Sequence, residues 1–185
     1  AEEELMRPAA EVHDALACLL SYPGEGHGAR YPAAVAVVSA AVPEASAELR
    51  AFLAGIAPLG EGELEELYTR TFDNVAERSL EVGWQLFGEN YARGVLLVRL
   101  RALLRQHGVP ERVELPDHLA HVLPLLARAD EAVAASLAHG HARQACEKVL
   151  AALRELESPW SGVLAAVLAL LALHAEPAPT LEVGT

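Results

Sequence analysis

At 185 residues the chain is long enough for one domain with a single sizeable core, and too short for two comfortable ones. Apolar residues make up 52% of it and aromatic residues only 5%, so the core must come largely from Ala, Leu and Val, a composition that leans toward helices. A formal charge of -12 argues against a nucleic-acid surface, which needs clustered Lys and Arg, and two cysteines without Cys-x-x-Cys spacing give neither a disulfide framework nor a zinc knuckle.

The start, Ala1-Glu2-Glu3-Glu4-Leu5, is acidic where an export signal is basic and then apolar, so a cytoplasmic location is expected. Val12, Leu16, Leu19 and Leu20 recur at helical spacing, and Tyr22-Pro23-Gly24 stops that helix. Pro32 fits the first turn of a second helix through Val38, and Pro43-Glu44 opens a third carrying Leu49, Phe52, Leu53 and Ile56. Beyond Gly60-Glu61-Gly62, a stripe of Leu64, Leu67, Tyr68 and Phe72 marks a fourth. The polar run from Asp73 to Arg78 reads as a loop or cap.

From Tyr91 to His107 the pattern is strongly helical, with Leu96, Leu100, Leu103 and His107 on one line and Gly108 placed to end it. Val109 to Leu115 reads as an extended connector, and Pro116 as the start of a helix with Leu119, Val122, Leu123 and Leu126. Asp130 is positioned to cap another helix, which passes a break at Gly140 and resumes through Cys146, Val149, Leu150 and Leu153. Ser158-Pro159 suits the start of a last helix. The apolar stretch from Trp160 to Ala175 is too short for a membrane span and reads as a core helix. No alternating run marks a strand. The expectation is an all-α, single-domain bundle of seven to nine helices over residues 1-175, with residues 176-185 a disordered tail.

Signatures of catalysis are missing from the sequence: it has no Gly-rich phosphate loop, no Gly-x-Ser-x-Gly elbow, no His-Glu-x-x-His helix and no calcium loop. His118 and His121, three apart with Asp117 adjacent and Glu114 upstream, could face a metal, as in a helical metal enzyme or sensor; the competing reading is a solvated or partner-facing edge, since no third ligand stands at fixed spacing. His139-x-His141 flanks Gly140 in an expected loop, and Cys18 and Cys146 read as buried thiols. Trp84, Phe87 and Tyr91 are three of nine aromatic residues within eight positions, which suits either core packing or a groove for an apolar peptide.

Two segments carry a resemblance. Tyr68-Thr69-Arg70-Thr71-Phe72-Asp73 is similar to the aromatic-x-x-Leu-Phe helix of the TorD/DmsD/NarJ family of redox-enzyme maturation chaperones, and Glu114-Leu115-Pro116-Asp117-His118 to its acidic-Pro-x-Asp-His loop, both in the form of the NarJ branch. Ser79-Leu80, then Gly88, Arg93 and Gly94, fall in the order of NarJ-type chains, with Glu89 in place of Asp. Leu19-Leu20-Ser21-Tyr22-Pro23 and Ser158-Pro159-Trp160 resemble the family's first helix end and last helix start. Where the NarJ pattern carries Tyr-Leu and a His after Ser-Leu, this chain has Glu81 to Phe87, which leaves nitrate reductase and a related molybdenum or tungsten enzyme both open as clients.

The resemblance implies a TorD-like fold and a non-enzymatic chaperone with no cofactor of its own. Its implied partner is the amino-terminal peptide of a molybdopterin oxidoreductase's catalytic subunit, held until molybdenum cofactor is inserted. Nucleic acid and stable membrane insertion are not expected, and the protein would be a monomer or dimer. Tyr68, Phe72 and Trp84 would give apolar grip. Asp73, Arg93, Glu114, Asp117 and His118 would order the site or pair with charged peptide residues, Asp117 alternatively capping the helix that follows it. His118 is expected to titrate near neutral pH. A permanent structural subunit of a larger membrane complex is the other reading. The docking surface requires that the stretches near Phe72 and near Asp117 be brought together by helix packing.

Overall fold

The computed structural model describes residues 8–73 and 75–177, so residues 178 to 185 of the expected tail lie outside the described residues. Among the described residues ten α-helical segments occur: α1 (Ala10–Leu19), α2 (His27–Ala41), α3 (Ser46–Ile56), α4 (Glu61–Phe72), α5 (Val82–Phe87), α6 (Tyr91–Gln106), α7 (Leu119–Arg128), α8 (Glu131–Leu137), α9 (Arg143–Glu155) and α10 (Ser161–Ala172). A π-helical turn, Ala138–Ala142, carries α8 into α9 without a break, so these make nine separate helical runs. Among the described residues no strand forms, and the fold is all-α as expected.

The most apolar segment, α10, lies at the centre. Gly162, Val163, Leu164, Ala166, Val167, Leu170 and Leu171 are buried, and the helix packs on α3, α9 and α1. The close crossing with α3 requires a missing side chain: a Cβ on Gly162 would stand 2.5 Å from the Glu48 carbonyl oxygen. On the other side α1 packs against α7 and α2, burying Val12, Leu16, Leu19 and Leu20. No helix among the described residues is long and apolar enough to cross a membrane.

An aromatic chain runs through this core. Ring centroids are 5.8 Å apart for Tyr31 and Phe52, 5.7 Å for Phe52 and Trp160, 5.5 Å for Trp160 and Phe72, and 4.9 Å for Phe72 and Tyr68. Trp160 donates its indole N–H to the Leu19 carbonyl at 3.0 Å, and Tyr68 its hydroxyl to Leu20 at 2.7 Å, so both polar tips are satisfied inside the fold.

Several helix boundaries differ from the sequence reading. α2 starts at His27, which puts Pro32 inside the helix; the carbonyl that Pro cannot pair belongs to Gly28, which is exposed and open to solvent. α5 was not expected. α7 starts at Leu119 rather than Pro116, because His118 and not Asp117 caps it. Asp130 precedes α8 but makes no side-chain cap, and Gly140 widens the helix into the π turn instead of breaking it. α10 starts at Ser161, and the buried Ser158 hydroxyl has no partner among the described residues.

Candidate functional site

Residues 80 to 82 and 117 to 119 lie side by side and exchange two backbone hydrogen bonds: Leu119 N–H donates to the Leu80 carbonyl at 3.0 Å, and Val82 N–H to the Asp117 carbonyl at 2.8 Å. Glu81 and His118 form the isolated antiparallel bridge between them. This pairing fastens the connector after α6 to the entry of α5.

Asp117, entirely buried, lies behind the bridge. Its Oδ2 accepts from the Gly83 N–H at 3.1 Å and from Arg93 Nε at 3.1 Å, so one carboxylate caps the first turn of α5 and holds a guanidinium from α6. Arg93 also donates from Nη2 to Glu81 Oε2 at 2.8 Å, and its Cζ lies 5.4 Å from the centroid of the Trp84 ring. Burial alone would lower the Arg93 pKa. The hydrogen bond and charge of Asp117, with Glu81, outweigh it and raise the pKa above its ordinary value. A side chain at position 83 has no room: a Cβ would be 2.7 Å from Asp117 Oδ2.

In front of this frame opens a pocket of about 570 Å³. Tyr68, Phe72, Leu80 and Trp84 line its apolar part, while Asp73, Glu81 and Glu114 supply acidic groups against Arg93. Val75, Ala76, Ser79, Leu115 and His118 complete the wall. The loop after α4 is pinned: Arg78 Nε donates to the Thr71 carbonyl at 2.7 Å, and Gln85 Nε2 to Ala76 at 3.0 Å and Ser79 at 2.9 Å.

Seven of the eight residues singled out in the sequence, Tyr68, Phe72, Asp73, Trp84, Arg93, Glu114 and His118, therefore surround one cavity, and Asp117 supports it from behind. Glu81, Gly83 and Leu115 were not singled out for it. Phe87 and Tyr91 are exposed and do not line it, so the aromatic run contributes Trp84 alone; Tyr91 is 86% exposed.

Desolvation, then the charges of Asp73 and Glu81, raise the Glu114 pKa. His118 goes the other way: burial, with His121 nearby, lowers it to about 4, so the ring is neutral at pH 7 and the expected titration near neutrality is corrected. His118 Nδ1 accepts the Ala120 N–H at 3.0 Å, the cap that Asp117 was a candidate for. His121 accepts from Arg112 N–H at Nε2 (2.9 Å) and its Nδ1 donates to the Leu115 carbonyl at 3.0 Å. Both nitrogens of His121 are thus engaged with backbone, which leaves that ring no lone pair for a metal. Among the described residues no three His, Cys, Asp or Glu side chains stand together as a metal site.

Residues 36–166, which include every residue of the pocket, match the nitrate reductase delta subunit family. The chain belongs to that family. It is 34% identical over 146 residues to the probable nitrate reductase molybdenum cofactor assembly chaperone NarJ of Bacillus subtilis (strain 168), an alignment spanning 78% of this chain and 75% of that protein. Family membership agrees with the NarJ-like resemblance carried by Tyr68 to Asp73 and Glu114 to His118.

Proposed function

We propose that this protein is a cytoplasmic, non-enzymatic chaperone for molybdenum cofactor assembly, serving nitrate reductase or a related molybdopterin oxidoreductase. In this reading the pocket grips the amino-terminal peptide of the client's catalytic subunit until the cofactor is in place. The observation that carries it is the convergence of the two family-like segments around one cavity with an apolar floor and an acidic rim. A groove of that kind suits an amphipathic helix, its apolar side on Trp84 and Leu80 and a flanking Lys or Arg at Asp73, Glu81 and Glu114. The name of the Bacillus relative supports the client class.

Trp84 makes the test direct. The chain has two tryptophans, and Trp160 is wholly buried in the core, so a peptide entering the pocket changes the emission of Trp84. Titration with a synthetic peptide from the start of the catalytic subunit should give a saturable change that is lost in Trp84→Phe, with calorimetry reporting binding in both proteins. Calorimetric silence with the native protein rules the reading out. The structural-subunit reading instead requires that the protein remain in the purified mature enzyme.

A further inference from the structure

A second pocket, of about 470 Å³, is built on the same connector and shares no lining residue with the first. Its apolar lining comes from the packed helices α1 and α7, as Ala17 from the first and Ala120 and Pro124 from the second. At one end Arg128 grips Asp14 with both forks, Nη1 to Oδ1 at 2.9 Å and Nη2 to Oδ2 at 2.7 Å. At the other, about two turns of α1 or roughly 10 Å away, Arg30 and Arg112 border the cavity beside Ser21.

The charge there is inverted relative to the molecule. Three arginines against one aspartate leave two positive charges over, in a chain whose formal charge is -12. Arg128 and Asp14 cancel, so the surplus belongs to Arg30 and Arg112, and among the described residues neither has a carboxylate within ion-pair distance. One Nη of Arg30 is bonded to the Pro23 carbonyl, which leaves its other donors over; Arg112 is tied to His121 by its backbone N–H alone, and its exposed guanidinium makes no hydrogen bond or ion pair among the described residues. Planar forks of this kind suit a phosphate, whose two charges match the surplus.

We propose that this pocket binds a phosphate monoester, its phosphate between Arg30 and Arg112 and its organic body along Ala17, Ala120 and Pro124. The test uses the full chain and phenyl phosphate as the probe, with calorimetry at low ionic strength. Saturable binding is expected, tighter than for inorganic phosphate. Arg30→Gln and Arg112→Gln should each weaken it by about ten-fold or more, while Arg50→Gln, an exposed change on α3, leaves it unaltered. Arg112 is exposed, so its substitution spares the fold, which circular dichroism checks. The probe should also slow maleimide labelling of Cys18, which borders the pocket, whereas Cys146 is fully buried. Absence of saturable binding, unchanged affinity in both Gln variants, an equal loss in Arg50→Gln, or unprotected Cys18 overturns the proposal.

Discussion

A carboxylate taken out of water costs several kcal/mol unless close partners replace its hydration, and Asp117 has them in Arg93 and the Gly83 N–H. Removing it leaves the buried Gly83 N–H unpaired and Arg93 with Glu81 alone, so Asp117→Ala should lose about 1–3 kcal/mol in urea unfolding, and weakened peptide binding by that variant would say nothing about contact. Glu114 is the better probe of contact. Its raised pKa means that the folded protein holds a proton more tightly than the unfolded chain, so this group costs stability as pH rises from its ordinary 4.5 through the raised value. Glu114→Gln removes that cost and the rim charge together. At pH 7 it should unfold at slightly higher urea yet bind a basic peptide more weakly, opposite changes that calorimetry and denaturation read separately. His118 has the reverse sign. With its pKa lowered to about 4, it contributes stability that is complete above its ordinary 6.5 and disappears as pH falls toward 4. Because Asn can accept the Ala120 N–H in its place, His118→Asn should flatten the loss of stability between those values, measured as urea midpoints against pH.

At the level of elements, legibility followed the range of the forces involved. Helices whose apolar stripe recurs locally, such as α1, α4 and α6, could be read directly, because burial of one face is enough to fix them. Starts set by a distant partner could not. α5 has only six residues and owes its first turn to a carboxylate 34 positions away, a contact with no periodic trace. The beginning of α7 was misplaced for the same reason: Asp117 looks like a cap in sequence, but Arg93 and Gly83 claim it, and His118 takes over. Pro32 pointed to a helix start because an interior Pro has no N–H for the i−4 carbonyl and crowds it; here that carbonyl belongs to Gly28, which is exposed, so its lost partner is not a buried one. The contact between α5 and the connector also makes a prediction. Gly83→Ala puts a methyl against Asp117 Oδ2 and the Arg93 and Leu96 side chains, so it should cost about 1–3 kcal/mol and shift Trp84 emission without peptide.

For the whole molecule, composition announced an Ala- and Leu-rich helical bundle, and the family resemblance pointed to the segments that meet at the pocket. What stayed hidden was Glu81, because nothing at a spacing of twelve ties it to Arg93 until the chain is folded. The molecular charge of -12 adds a property that no single residue has: approach of a basic peptide is favoured at long range and screened by salt. Affinity for such a peptide should therefore fall between low and physiological ionic strength, mostly through the association rate, and stopped-flow emission at two salt concentrations would show it.

The tie between Asp117, Arg93 and Gly83 has a bearing on how such a pocket can diverge. Those three positions answer to the architecture before they answer to any guest, and changes there are eliminated with the fold. Among the described residues the side chains of Asp73 and Glu114, which line the pocket, make no hydrogen bond or ion pair. A lineage adopting a new client would be remodelled at those outward positions, with the clasp underneath left as it was.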